Sequence, residues 1–383
     1  MATAKVSQYP PARAIAPKVQ AHFAHHLELA RGEGHGASLA TPPDAEAIEA
    51  MIDAAFWASV RREEGYGPKI SLAYVSPEAA GRAMTFEHPI ALLPDALARL
   101  GPAVERPGIH LGVWPIGDEL RAWGMTRTIP AFCFVVEVAA PGLLVVKHRR
   151  REQSGKFVNV AVLEGDQIKL LDEKAASLPD CPSLLMSLLG FDTAASAAES
   201  VNVLAALAVS MRAHRRGGSL LVVPRASETW RDSIVQPMPY AVVPPYGELA
   251  ALMREPTVSR RELHWQERLR RAVDAIAGLT AVDGATLLTD EYDLLAFGAK
   301  ITRREGQPRV EQVMLTEPIE GGRAITASTA QIGGTRHLSA AQFVHDQRNA
   351  IALVASQDGR FTIFAWSSCD DCVYAHRAET LLL

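Results

Sequence analysis

The run at 219–224, Ser-Leu-Leu-Val-Val-Pro, constrains the fold of this chain most. It is apolar almost throughout, too short for a helix, and bounded by Gly217-Gly218 before it and Pro224 at its end, so it reads as a strand fully buried within a sheet. A helix over about 195–215 precedes it, with Val201, Leu204, Ala205, Ala208 and Met211 on one face. That helix ends in Arg215-Arg216-Gly217-Gly218, basic residues followed by glycine, which suit a helix C-terminus and also account for Arg212 and His214.

Further along, 230–245 is Pro-rich and irregular, and a helix over about 259–277 turns Leu263, Leu269, Val273 and Ile276 inward. Segments 285–288 and 294–301 read as a hairpin around Asp290-Glu291-Tyr292-Asp293, and 310–316 adds a strand. A short helix follows at 340–347, and 350–356 and 361–366 form a last hairpin around Gln357-Asp358-Gly359. The sum is an α/β fold, a mixed central sheet flanked by helices.

The chain has 383 residues, 48% of them hydrophobic and 21% charged, enough for two domains with cores of their own. A helix is expected over about 17–31, within a segment at 1–40 carrying His22, His25, His26 and His35, which reads as a solvated helix face or a metal tract. Thr41-Pro42-Pro43-Asp44 reads as a linker ending in a cap for a helix at 45–64, with Ile48, Met51, Ile52, Ala55, Phe56 and Val60 on one face. Short β-like runs follow at 70–75, 109–114, 131–138, 143–148, 157–163 and 168–171. No Gly-x-Gly-x-x-Gly follows a strand, so 41–175 reads as a smaller α+β domain of sensor type rather than a dinucleotide fold. Trp114, Trp123, Arg127 and Lys147 are candidates for its ligand pocket, although aromatic residues in such a domain are more often core. The basic run Lys147-His148-Arg149-Arg150-Arg151 reads first as a solvated hairpin tip. The junction falls at 173–194, and the second domain spans 195–370.

A net charge of −4 gives no overall attraction to nucleic acid or an anionic membrane, so nucleic acid is an unexpected partner and any phosphate binding is local. Four cysteines, at 133, 181, 369 and 372, are too few and too unevenly placed for a disulfide framework. Cys369-Asp370-Asp371-Cys372 reads as a free surface pair ahead of a redox pair or half a zinc site. The first residues carry no apolar core of signal-peptide type, and the most apolar run, 132–146, is broken by Glu137, Pro141 and Gly142, so a cytoplasmic protein off the membrane is expected.

Two short segments carry the chemistry. Asp283-Gly284-Ala285 sets one carboxylate beside two residues with almost no side chain, which lets a bulky anion approach the backbone. Gly333-Gly334-Thr335-Arg336-His337 is a glycine-loosened turn with a hydroxyl, a guanidinium and an imidazole. Together they supply a metal-binding oxygen and a phosphate-binding fork. Taken singly, Asp-Gly is first of all a turn signal and an Arg-His pair is often solvated surface.

In this order, with the helix carrying Arg212-Ala213-His214, the Gly217-Gly218 turn and the apolar strand before them, these motifs over roughly 195–368 resemble the diadenylate cyclase family. That family's nucleotidyltransferase domain stands at the N-terminus of the DNA-integrity scanning protein, and the closest variant places a sensor-type domain ahead of it. The resemblance implies condensation of two ATP molecules into cyclic di-AMP with loss of pyrophosphate, a divalent Mg²⁺ or Mn²⁺ on Asp283, and phosphate contacts from Arg336 and His337. It also assigns Gly284, Ala285, Gly334, Thr335, Ser339 and Ser356 to the nucleotide. A symmetric cyclic product needs two facing nucleotides, so a homodimer is expected. Two departures stand out: Leu338 where the family continues Arg-His-Arg, and Gln357 where it carries the first carboxylate of a Ser-Glu-Glu turn. Besides the cyclase, they leave open a cyclase-derived domain that senses a nucleotide without turnover. A nucleotidyltransferase with another product is the third reading.

Overall fold

The computed structural model describes residues 8–32, 39–62, 65–149, 157–172, 202–256 and 259–383, in two compact units, Met1–Leu171 with Leu383 and Asp172–Leu382. The junction expected at 173–194 lies outside the described residues.

The first unit is a mixed eight-stranded sheet with helices α1 (Pro10–Gly32), α2 (Ala45–Ser59) and α3 (Pro94–Val104). Its strands are β1 (Ser71–Tyr74), β2 (Met84–Ala91), β3 (His110–Ile116), β4 (Glu119–Thr126), β5 (Phe134–Ala140), β6 (Leu143–Arg149), β7 (Phe157–Glu164) and β8 (Gln167–Leu170). They run in the order β2-β4-β3-β1-β5-β6-β7-β8, and β1 is parallel to β3. Asp44 caps α2 as expected, its carboxylate accepting from the Ala47 N–H at 2.8 Å.

Helix α1 begins at Pro10, not at 17, and runs through Pro17. Ala12, Ile15, Ala16, Val19 and Phe23 are buried in one core with Ile48, Met51 and Ile52 of α2, and this burial outweighs the hydrogen bond that Pro17 withholds. The helical part of 1–40 therefore belongs to the core of the first unit rather than standing as a separate segment. Trp123 is core as well, 1% exposed, with its indole N–H donating to the Val75 carbonyl at 2.8 Å, so it lines no pocket. Lys147 is no solvated tip: it is buried in β6, paired with Glu137 and lying over the Phe157 ring. His22 and His26 pack near Phe132 and His148, and among the described residues no group of three or more His, Cys, Asp or Glu is placed to hold a metal.

In the second unit, α4 (Val203–Ala213), α5 (Glu248–Arg254), α6 (Leu263–Leu279), α7 (Thr329–Ile332) and α8 (Thr335–Asp346) flank a nine-stranded mixed sheet. Its strands are β9 (Gly218–Val223), β10 (Tyr240–Tyr246), β11 (Ala285–Thr289), β12 (Leu294–Ala299), β13 (Gln312–Thr316), β14 (Ile325–Ser328), β15 (Ile351–Ala355), β16 (Phe361–Ser367) and β17 (Cys372–Arg377). The order is β10-β12-β11-β9-β15-β16-β17-β13-β14, with β9 parallel to β11 and β13 parallel to β17. Every residue of β9 is buried, and its side chains alternate between two cores. Leu220 and Val222 face Leu207, Met211, Val273 and Ile276 of α4 and α6, whereas Leu221 and Val223 share a core with Phe343 and Val344 of α8.

Three expectations are corrected here. Leu263 is 80% exposed, because it opens α6 ahead of the turn that Trp265 and Leu269 bury. The stretch expected to be irregular holds a short 3₁₀ turn, Thr229–Ser233, and strand β10. This strand lies at the sheet edge, and its two prolines fall between Ala241 and Tyr246, where the pairing with β12 is interrupted. Helix α8 starts at Thr335 rather than at 340, so the Arg-His pair is helical.

His376 of β17 is buried, with Nδ1 2.7 Å from the Thr316 hydroxyl, and burial pushes its pKa down to about 4. An unfolded chain takes up that proton near the ordinary value, about 6.5, so the contribution of the neutral ring is complete above that pH and is lost as the pH falls toward 4. The expected loss over this window is roughly 3 kcal/mol. Thermal unfolding of the wild-type chain and of His376→Gln between pH 7 and 4.5 checks it: the variant should show the shallower dependence, and parallel curves would refute the assignment.

Candidate nucleotide site

Three neighbouring strands bring the site together. Ala285 at the start of β11 pairs with Ser219, and Ala355 at the end of β15 pairs with Gly218. The entries of β11 and β9 and the exit of β15 thus share one end of the sheet. With strands about 4.8 Å apart, Ala285 and Ala355 are roughly 10 Å from each other across β9.

Asp283 stands in the turn between α6 and β11, its side chain 88% exposed and its Oδ2 3.8 Å from Nζ of Lys300. The turn beneath it is closely packed. Thr280 closes α6, its hydroxyl donating to the Ala277 carbonyl at 2.6 Å and lying 3.2 Å from His214 Nε2. Gly284 has φ +107°, and a Cβ there would fall 2.5 Å from the Gly298 carbonyl carbon. Gly298 lies in turn under the Tyr240 ring, which stacks on Phe297 with centroids 4.8 Å apart. A side chain at Gly284 would push Asp283 off this platform. Ala285 is buried.

Arg336 reaches the same end of the sheet from the first turn of α8. Its Nη1 lies 3.1 Å from where a Cβ on Gly217 would sit, a point also 3.4 Å from the Ala355 carbonyl and from Cγ of Gln357. Gly217 has φ +71°, so both its backbone and its missing side chain make room for the guanidinium. Gly334 is the N-cap of α8 and offers no side chain to its first N–H groups, and Gly334 and Thr335 are exposed. These N–H groups and the positive end of the helix dipole suit an anion beside Arg336. Ser339, three residues on, shares that face and is half-buried.

His337 is placed differently from a solvent-facing phosphate ligand. Its ring is 4% exposed and sits beneath the turn, edge-on to Phe364, where a Cβ on Gly333 would come within 2.3 Å of Nδ1. Burial lowers its pKa, with the Asp358 carboxylate opposing and Arg360, Arg377 and Arg336 adding to the effect, so the ring is neutral at pH 7. Ser356, at the β15 exit, closes the hairpin through its N–H to the Arg360 carbonyl at 2.9 Å. Burial raises the pKa of Asp358, but hydrogen bonds from the Ser356 hydroxyl and the Arg360 N–H, with the Arg360 charge, hold it below the usual range.

Arg212 is structural. Its Nε donates to the Gly359 carbonyl and its Nη1 to the Leu382 carbonyl, both at 3.0 Å, which ties α4 to the hairpin turn. Cys369 lies exposed in the β16–β17 turn and Cys372 opens β17, where burial with Asp370 and Asp371 raises its thiol, so Cys372 is not set up as a reactive thiolate. Gly217, Gly298 and Lys300 complete the site without having been singled out for it. Only the glycine punctuation at 217–218 carried a signal, whereas Lys300 had none.

The N-terminal part of the chain matches a known family. Residues 37–127 match the model described as "Probable sensor domain DACNV". The chain thus carries a region similar to a probable sensor domain, followed by a mixed α/β unit. No curated protein matches the chain. Among solved structures, a hypothetical membrane spanning protein from Bacillus cereus is similar at 15% identity over 50% of this chain and 67% of that one, with a TM-score of 0.27, too low to bear on the fold. No helix among the described residues is long and apolar enough to cross a membrane.

Proposed function

We propose that the second unit is a diadenylate cyclase, a nucleotidyltransferase that joins two ATP molecules into cyclic di-AMP with release of pyrophosphate, and that the first unit is its sensor. The observation that carries this reading is the meeting of the Asp283 turn, the Gly217-Gly218 turn and the Arg336 guanidinium at one end of β11, β9 and β15. The sensor-domain match at 37–127 supports the pairing of a sensor with a cyclase.

In each half-reaction a ribose 3′-oxygen bonds to the α-phosphorus of the other ATP, the bond to pyrophosphate breaks, and the hydroxyl proton leaves to solvent. Arg336 presents a planar fork that suits two phosphate oxygens at once and offsets charge as pyrophosphate departs. The N–H groups opening α8 face the same anion past Gly334. Asp283 fits a Mg²⁺ or Mn²⁺ site completed by triphosphate oxygens, since Mg²⁺ is commonly held by one or two carboxylates with substrate phosphates. Such an ion, when bound, would lower the pKa of the 3′-hydroxyl and offset phosphate charge. One such site holds one ATP, so two copies facing across a two-fold axis complete the reaction.

A second reading has specific support. Leu338 stands where the family has a second cation, and Lys300 Nζ lies 3.8 Å from Asp283 Oδ2, a positive charge beside the carboxylate that a divalent ion would need, features that fit a nucleotide-binding module without turnover. Incubating the full chain with ATP and Mn²⁺ or Mg²⁺ and detecting products by mass separates the readings. Cyclic di-AMP supports the cyclase; saturable ATP binding with no product supports the sensing module.

A further inference from the structure

The second unit holds a cavity of about 310 Å³ at the end of the sheet opposite the candidate nucleotide site. Val223, which ends β9, and Ala350, just before β15, form part of its wall, whereas Gly218 and Ala355 mark the other end of those strands. The remaining wall comes from the loop after β9, from Arg304 and Gln307, and from the last turn of α8.

The acid in this wall is already spent. Asp346 has a fully buried side chain; its Oδ2 accepts from the Arg304 N–H at 2.8 Å, and its Oδ1 accepts from Gln342 Nε2 and His345 Nδ1, both at 2.9 Å. The Gln347 amide is spent too, accepting from the Thr229 hydroxyl at 3.1 Å and donating to the Thr229 carbonyl at 3.0 Å and the Ser233 hydroxyl at 2.9 Å.

The charged groups left to face a ligand are two guanidiniums. Arg304 pairs through Nη2 with Asp232 at 3.5 Å, and Arg348 pairs through Nη1 with Asp371 at 3.4 Å while lying over the Trp366 ring. Each pairing engages one nitrogen of a group that carries five N–H donors. Hydroxyls of Ser227 and Thr229 and the amides of Gln307 and Asn349 complete a wall richer in polar than in apolar groups.

We infer that this cavity is a binding site for a small phosphate-bearing anion, no larger than a nucleoside monophosphate, held by Arg304 and Arg348. The carboxylate that lines the wall, Asp346, is buried and engaged, while Asp232 and Asp371 approach the guanidiniums from outside the lining, so the donors left toward the cavity select an anion, and planar forks favour phosphate oxygens. The volume, at the lower end of that of ligand pockets, sets the size limit. The inference does not depend on the cyclase reading, because no residue of the nucleotide site takes part.

The test uses the full chain in an Asp283→Asn, Arg336→Ala background, which removes phosphate binding at the other site, with calorimetric titration of inorganic phosphate, pyrophosphate and AMP. One of the three should bind saturably, and whichever binds tightest separates a free phosphate from a nucleotide source. Adding Arg304→Gln with Arg348→Gln should weaken it at least about tenfold. Ser227→Phe, which places a ring in the cavity and leaves the bonds of Asp346 untouched, should abolish it, and this variant, with its unfolding midpoint as control, decides the matter if the arginine pair fails to fold. No saturable binding by any probe, or binding indifferent to both changes, overturns the assignment.

Discussion

An Asp283→Asn protein is expected to lose cyclic di-AMP formation by roughly a thousandfold or more while folding as before. The magnitude follows from the charge: an amide is a far weaker ligand for a divalent cation than a carboxylate, and the ion's effects on the hydroxyl pKa and on phosphate charge are together worth several kcal/mol. Among the described residues no group of three or more His, Cys, Asp or Glu is placed to hold a metal, so the proposed ion relies on Asp283 and the substrate's phosphates. Folding should be spared because the side chain is 88% exposed and its ion pair with Lys300 is long, at 3.8 Å. The measurement is initial rate by product mass at saturating Mn²⁺, with the unfolding midpoint as control. A variant that keeps a tenth or more of the wild-type rate would place the metal elsewhere.

The second large effect is expected at Arg336, where alanine should cost about 10² to 10³ in rate and lysine nearly as much. Lysine keeps the charge but presents a single point donor in place of a fork. Gly217→Val provides an independent route to the same outcome. Its Cβ would sit 3.1 Å from Nη1 of Arg336 on a backbone of φ +71°, displacing the guanidinium without altering it. If Arg336→Ala falls a hundredfold while Gly217→Val, folded, turns over normally, the guanidinium acts from a position other than the one described.

Much of the second unit was legible because its strands carry strong local signals. The apolar strand β9 is bounded by glycines and proline, and the β11–β12 hairpin brackets a polar turn at Asp290-Glu291-Tyr292-Asp293. Helix α8 starts earlier than local pattern predicts, because Gly333-Gly334 reads by itself as a loop that holds the Arg-His pair. Gly334 instead serves as the N-cap, and burial of His337 under Gly333 draws the pair into the helix. In the first unit, β2 and α3 went unmarked: β2 is mostly exposed with no period of two, and Pro102 lies inside α3. Helix α1 extends past Pro17 because its neighbours in space, not its sequence, hold the turn.

What the amino-acid order determined by itself is the set of parts: a buried central strand, helices to cover it, one acid after a long helix and one cationic turn some fifty residues later. Those follow from periodicity and turn chemistry, which act over a few residues. The tertiary structure alone decided that the acid and the guanidinium share a sheet end, because β9 lies between β11 and β15 and strand order is set by packing between distant segments. It also decided that His337 is buried and that Gly217 makes room for Arg336, contacts that no local pattern encodes.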